Sequence, residues 1–319
     1  MLKILRRGGK SLETITATKG WRLPADTVWV ELVEPSRQEE LNVEAAVGLN
    51  LPTREEMAEI EVSSRLYHEN GATIMIATLL CGADERAPVP SPVTFVLTGD
   101  RLITIRYAQP RSFAAFAAQI ERQPELSASA IGIFLGLLEA VVDRTADLLE
   151  HVSADVEETS QAIFLQARGV SFKPILNKLA TCQSTNGKAR ESLVSLSRLI
   201  SFAMLAGGVP DNREARDELR SMQRDVQSLT EHASYVSGNL SFLLDAALGL
   251  INIEQNEVTK IFSIAAVVLL PPTMIATIYG MNFHNMPELS WRFGYVVAWV
   301  AMVLSAVIPY WWIKRKGWL

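Results

Sequence analysis

Hydroxyl and amide side chains recur at steps of three and four residues in the last quarter of the sequence. On a helix, this spacing places every member of the series on one face. We call the series the polar stripe, and its members are Asn256, Thr259, Ser263, Ala266, Leu270, Thr273 and Thr277. Small residues at such positions also allow membrane helices to approach closely, which is the alternative explanation. Because the stripe holds four hydroxyls and an amide where a coiled coil would hold large apolar residues, it favours a water-lined path.

The side chains of this stripe are uncharged, which limits the ions that a path along it would suit. Segments 261–279 and 293–313 contain no Asp, Glu or Lys, whereas a proton-coupled transporter usually has an ionisable group in the membrane. A path for soft metals would need Cys or His. Neutral oxygens suit a hard cation that keeps much of its water, as Mg²⁺ does. The pattern therefore predicts a path for hydrated Mg²⁺.

The tripeptide Gly280-Met281-Asn282 follows the stripe directly. Glycine permits a helix end or a close approach of backbones around an axis. Asn282 would then present side-chain amides at the entrance of the path, although by itself the tripeptide is only a loop sequence. One helix per chain cannot enclose a channel, so such a path requires a homo-oligomer with cyclic symmetry.

Two segments are long and apolar enough to cross a bilayer. Segments 261–279 and 293–313 match the roughly 20 residues that a spanning helix needs. The second ends in aromatic residues at 310–312, followed by the basic tail 314–319. The positive-inside rule places this tail in the cytoplasm. With two spans, both termini are predicted to be cytoplasmic, and the loop 280–292 faces outward.

The elements before the spans predict an α+β domain followed by long helices. Strand patterns at 27–33 and 72–80 and a hairpin at 93–106 belong to a predicted α/β domain, 1–110. A helix is predicted after Ser36, and Thr53 with Glu56 predicts a capping box. The region 111–210 is predicted to be helical, with helices at 127–166 and 174–205 and a break at 207–210. One helix is predicted over 211–279; its length of about 100 Å far exceeds a bilayer, so it begins in the cytoplasmic part.

Composition and residue spacing exclude several functions. The net charge of −5 and pI near 5.6 argue against nucleic acid as a partner. Cys81 and Cys182 are predicted to be free, buried thiols. The four histidines do not cluster at ligand spacings, so a zinc site is not expected. No catalytic arrangement and no nucleotide-hydrolysing motif is present, and we expect neither an enzyme nor a bound cofactor.

At Tyr279-Gly280-Met281-Asn282, followed by Met286-Pro287-Glu288-Leu289, the sequence resembles the CorA magnesium channels of bacteria. The resemblance extends over nearly the whole chain and is dense after about residue 245. It implies a funnel-shaped homopentamer in the bacterial inner membrane, with one long pore helix per subunit. Influx is expected to be passive, to include Co²⁺ and Ni²⁺, and to be gated by intracellular Mg²⁺.

The resemblance also implies roles for individual residues. Gly280, Met281 and Asn282 would form the selectivity filter, and Glu288 would help to capture cations in the outer loop, where His284 replaces an acidic residue of some relatives. Asn256 and Thr273 would be polar rings lower in the pore, while Phe262 and Leu270 would lie near hydrophobic constrictions. Asp225 is the candidate for a regulatory metal ligand, with a solvated charge as the alternative.

Two other functions remain open from the sequence. Zinc transporters of the same superfamily share the Gly-Met-Asn motif, although Met286-Pro287-Glu288-Leu289 is more similar to the magnesium branch. A membrane-tethered scaffold without ion flux is the other alternative.

Overall fold

A computed structural model describes residues 1–16, 21–59, 61–82, 88–165, 171–205, 209, 212–282 and 286–317 of the chain. The contacts divide the protein into two compact units, Met1–Leu244 and Asp245–Leu319. The predicted helix end at Gln166 lies outside the described residues, as does most of the predicted break at 207–210.

The first unit is built on a seven-stranded sheet. Its strands are β1 (Leu2–Arg6), β2 (Glu13–Ile15), β3 (Thr27–Val33), β4 (Leu66–Glu69), β5 (Ala72–Cys81), β6 (Val89–Leu97) and β7 (Leu102–Arg106). Their order is β2-β1-β3-β7-β6-β5-β4. β3 pairs with β7 in parallel, and the other described neighbours are antiparallel. The two predicted strands and the hairpin are confirmed. The sequence analysis did not predict β1, β2 or β4. β2 and β4 are short, largely exposed edge strands, whereas β1 is mostly buried between β2 and β3.

The other regular elements of the described chain are helices. They are α1 (Arg37–Val47), α2 (Arg54–Met57), α3 (Val62–Arg65), α4 (Arg111–Arg122), α5 (Ala130–Leu165), α6 (Phe172–Ala203), α7 (Arg213–Tyr279) and α8 (Gly294–Arg315), with 3₁₀ helices at Pro124–Ser127 and Pro287–Ser290. Ser36 and Thr53 each form the capping box that satisfies the first amides of α1 and α2. The helix predicted to begin at residue 127 begins at Ala130, because 124–127 forms the tighter 3₁₀ turn.

The sheet separates two hydrophobic cores. All seven residues of β3 are buried, and successive side chains point to opposite faces. Trp29 lies in the core that the long helices cover, whereas Val30 and Leu32 lie in the core closed by α1 and α2. The Trp29 indole donates a hydrogen bond to Thr104 Oγ1 at 2.9 Å, which satisfies its only polar atom in the interior.

The long helices share their core with the sheet. Phe134 of α5, Leu196 of α6 and Leu219 of α7 belong to the same buried cluster as Trp29. Within the first unit, the sheet and the described parts of the long helices therefore form one packed body.

Both cysteines are free and buried, as predicted. Burial raises the pKa of the Cys81 thiol to about 11, and it also raises the pKa of Cys182. Both side chains are therefore neutral, packed thiols.

Helix α5 has a glycine, Gly136, where it packs against the Phe116 ring of α4. A Cβ atom on Gly136 would overlap the ring of Phe116, which is fully buried. We expect Gly136→Ala to destabilise the protein by about 1–3 kcal/mol through overpacking, and thus to lower its thermal unfolding midpoint, measured by circular dichroism on the full chain in detergent. The control is Gly187→Ala, because a Cβ there meets no atom within 4 Å. This variant should be as stable as the parent or more so; equal midpoints for both variants would contradict the overlap.

Candidate ion path and its outer end

The polar stripe lies on one continuous helix. Helix α7 runs for 67 residues from Arg213 to Tyr279, as the sequence predicted, although Pro271 and Pro272 lie within it. Each proline lacks the amide that would bond to the carbonyl four residues earlier. Since the helix continues through both prolines, the steps of three and four residues do place the stripe on one face.

The second unit leaves the stripe uncovered. All seven stripe residues are exposed, and Leu270 is 63% exposed. Phe262, at the edge of the stripe, is 72% exposed. The half-buried residues of this span lie on the far side of α7, at helical spacing: Ile264, Val268, Pro271, Pro272 and Ile275. The covered residues of α8 also recur at helical spacing, at Gly294, Ala298, Ala301, Met302, Ser305, Ala306, Pro309 and Ile313. Each of the two apolar helices therefore has one partly covered face, and on α7 this face is the reverse of the polar stripe.

Three threonines of the stripe use their hydroxyl protons within the helix. Thr259 Oγ1 donates to the Gln255 carbonyl at 2.9 Å, Thr273 to Leu270 at 2.8 Å, and Thr277 to Thr273 at 2.6 Å. Each hydroxyl oxygen therefore has its lone pairs left for an outside donor. Water molecules bound to a cation point their hydrogens outward, so these oxygens are suitable partners for a hydrated ion.

The helix ends at the candidate filter. The Gly280 amide donates to the Ala276 carbonyl at 2.9 Å, and the Met281 amide donates to Ile278 at 3.2 Å. A Cβ on Gly280 would lie 3.2 Å from the Ala276 carbonyl. Gly280 is not among the described residues with positive φ. Glycine is therefore favoured here by close packing of the last turn and not by a left-handed cap.

Asn282 follows this last turn and is exposed. Within the described part of the chain, no hydrogen bond engages its side-chain amide, which leaves it able to bind a ligand. The predicted contribution of His284 lies outside the described residues. Glu288 belongs to the 3₁₀ helix Pro287–Ser290, but its side chain lies outside the described part of the structure.

Asp225, the candidate regulatory residue, lies near a row of carboxylates. Glu139, Asp143 and Asp147 are four residues apart on α5. Burial, and then the charges of Asp147 and Asp225, raise the pKa of Asp143. Burial, followed by the charges of Asp143 and Glu218, raises the pKa of Glu139. No group of three or more metal-ligating side chains occurs among the described residues, so one chain alone does not provide a complete site around Asp225.

The end of α8 carries paired aromatic and basic side chains. The Arg315 guanidinium lies 4.9 Å from the centre of the Trp311 ring, and Lys316 Nζ lies 4.4 Å from that of Trp312. Such cation–π pairs hold the basic groups beside aromatic rings that favour the membrane interface. The most apolar 18-residue window is 0% buried in α7 and 11% buried in α8, unlike a core helix of a soluble protein.

A soluble α/β unit, followed by two apolar helices of which one exposes a polar stripe, defines a membrane transport protein with two spans. The chain belongs to the CorA family: the model described as "CorA-like Mg2+ transporter protein" matches residues 24–315. The magnesium transport protein CorA of Salmonella typhimurium is 36% identical over 295 residues, which cover 92% of both chains.

Solved structures show the same fold. The CorA magnesium transporter from Methanocaldococcus jannaschii matches with a TM-score of 0.80 at 17% identity, over 100% of this chain and 99% of that one. The ZntB cytoplasmic domain from Vibrio parahaemolyticus matches with a TM-score of 0.59 at 11% identity, over 79% of this chain and 99% of that one.

The structure adds one feature that the sequence analysis did not predict: the charge of Asp225 on α7 acts on Asp143 of α5. The spacing of residues 139, 143 and 147 was a visible signal, because positions four apart share a helix face. What the sequence did not show is that α7 presents Asp225 to that face.

When the pKa of a carboxyl group is higher in the folded state than in the unfolded state, ionisation destabilises the fold. The free energy of unfolding therefore falls as the pH rises through the folded-state pKa. Because the pKa of Asp143 is raised, we expect Asp143→Asn to raise the thermal unfolding midpoint more near pH 8 than near pH 4. The measurement is made by circular dichroism in EDTA. Asp155→Asn is the control, because Asp155 pairs with Lys178 at 3.0 Å and its removal should not stabilise. A lower midpoint for Asp143→Asn near pH 8 would contradict repulsion within the cluster.

Proposed function

We propose that the protein is a passive channel that admits hydrated Mg²⁺ to the bacterial cytoplasm, lined by the polar stripe of α7. One observation carries this proposal: the stripe is continuous and exposed, whereas the half-buried residues of the same span lie on the reverse of the helix. A single stripe cannot surround an ion, so identical subunits must place their stripes around a common axis. Family membership supports a pentamer.

Asn282, Gly280 and Met281 form the filter in this proposal. A ring of Asn282 amide oxygens would accept hydrogen bonds from the water shell of Mg²⁺, which loses water reluctantly. Gly280 allows the last turn of α7 to close tightly, and this sets the position of Asn282. Glu288 would add negative charge at the mouth.

Along the pore, the polar residues of the stripe lie on both sides of an apolar stretch. Asn256, Thr259, Ser263, Thr273 and Thr277 would bind the water shell of the ion. Leu270, with Phe262 beside the stripe, would form the narrow apolar levels at which a channel can close by losing water.

The membrane potential is sufficient to drive this flux. With both termini in the cytoplasm, a divalent ion that moves inward through 100 mV gains about 4.6 kcal/mol, twice the value for one charge. Co²⁺ and Ni²⁺, hydrated divalent ions, are expected to pass as well.

Gating by intracellular Mg²⁺ is the regulatory part of the proposal. Asp225 and Asp143 repel each other, and a bound divalent cation would relieve that repulsion. Because a single chain offers no complete metal site among its described residues, we expect further ligands from a neighbouring subunit.

We expect Asn282→Ala to reduce Mg²⁺ flux or its preference over Ca²⁺ by tenfold or more, an effect of about 1.4 kcal/mol or greater, because the amide ring would be absent. Flux is measured in proteoliposomes with an entrapped Mg²⁺-sensitive dye and an imposed potential. The control is Ser290→Ala. The Ser290 hydroxyl is exposed, and its one described hydrogen bond goes to the Pro287 carbonyl in the same 3₁₀ turn.

The same vesicles separate the alternatives. Flux of Zn²⁺ without Mg²⁺ would favour a zinc transporter, and no flux of either ion would favour a scaffold. Unchanged rate and selectivity in Asn282→Ala would reject the filter even if Mg²⁺ flux is present.

A further inference from the structure

A cleft of about 550 Å³ lies in the first unit, between α6 and the β4–β5 edge of the sheet. Its charged lining residues are Arg65, Arg190, Arg198 and Glu191. Three guanidinium groups against one carboxylate give this cleft a formal charge of +2, in a chain whose net charge is −5. The cleft therefore has the opposite sign to the protein as a whole.

One face of α6 supplies most of the wall. Gly187, Arg190, Val194 and Arg198 follow one another at steps of three and four residues, so they lie on the same side of the helix. Within the described part of the chain, neither Arg190 nor Arg198 has an ion pair or hydrogen bond. Two guanidinium groups are thus free to bind an anion.

The opposite wall holds the third arginine in place. Arg65, the last residue of α3, donates from Nη1 to Thr78 Oγ1 at 3.1 Å. Thr78 is on β5 and is 8% exposed. This contact directs the Arg65 guanidinium toward the strand and toward the space between strand and helix.

The floor of the cleft is fixed by two serines of α6. Ser192 Oγ donates to the Thr78 carbonyl at 2.8 Å, and Ser195 Oγ accepts from the Thr78 amide at 2.9 Å. The Ser195 hydroxyl proton has no acceptor among the described residues, so this hydroxyl can donate to a ligand. The cleft is therefore a rigid junction of helix and strand with free donors.

Guanidinium groups and a hydroxyl that converge on one space suit an anion with several oxygens, and arginine matches phosphoryl groups by its forked donors. The apolar wall of Leu66, Ile76 and Val194 would contact an organic body. The volume is within the range of small-molecule sites. We propose that this cleft binds a phosphorylated small molecule of nucleotide size, through Arg190, Arg198 and Ser195. This site is independent of the proposed ion path.

The test uses the full chain, purified in an uncharged detergent, with EDTA to remove divalent ions. Equilibrium dialysis measures the binding of radiolabelled ATP, AMP and pyrophosphate. We expect saturable binding of ATP or pyrophosphate and a loss of about tenfold or more in affinity for the double variant R190Q/R198Q. Pyrophosphate binding equal to that of ATP would assign recognition to the phosphoryl groups alone, and stronger ATP binding would add the apolar wall.

Two further variants serve as controls. Gly187→Leu adds a side chain to the wall of the cleft at a position where the Cβ meets no atom within 4 Å. It should weaken binding while the thermal unfolding midpoint is kept. Arg122→Gln removes an exposed arginine outside the cleft and should bind as the parent does.

Three outcomes would overturn the proposal. The first is that the parent shows no saturable binding of any of the three compounds at millimolar concentration. The second is that R190Q/R198Q binds as tightly as the parent. The third is that this variant loses both binding and its oligomeric state by light scattering, which would assign the two arginines to contact between copies of the chain.

Discussion

The structure depends on one constraint, that backbone amides and carbonyls within a membrane must bond to each other. This constraint keeps α7 helical up to Tyr279 and gives its side chains a fixed angular order. Pro271 and Pro272 remove two amide donors, yet the helix runs through them. The Thr273 hydroxyl donates to the Leu270 carbonyl at 2.8 Å and so adds a bond close to this weak point. The helical order that the lipid requires is what places the polar stripe on one face of α7.

The same helix belongs to the soluble core at its other end. Leu219, Val226 and Ala233 of α7 are buried in the cluster that contains Trp29 of β3. Residues 213–244 are therefore held by packing, whereas the apolar span beyond them is largely exposed and is held by its backbone hydrogen bonds. Asp225, whose charge raises the pKa of Asp143 on α5, lies on this packed part of α7.

Much of this arrangement followed from local sequence signals. The capping box at Thr53, the strand at 27–33 and the unbroken α7 each depend on neighbours within a few residues, and each is confirmed. The sequence also predicted the face of the polar stripe, since helical spacing fixes it. Contacts between distant segments could not be predicted in this way. The edge strands, the pairing of β3 with β7, and the approach of Asp225 to α5 all depend on tertiary packing.

The internal bonds of the stripe threonines have a consequence for the sign of the ion. Thr259, Thr273 and Thr277 give their protons to backbone carbonyls, so each exposes lone pairs and no donor. Chloride needs donors, and such a wall offers it none at these levels. At these three levels the hydroxyl dipoles would therefore disfavour anions. Since the three threonines are not titratable, their effect on anions would not change with pH.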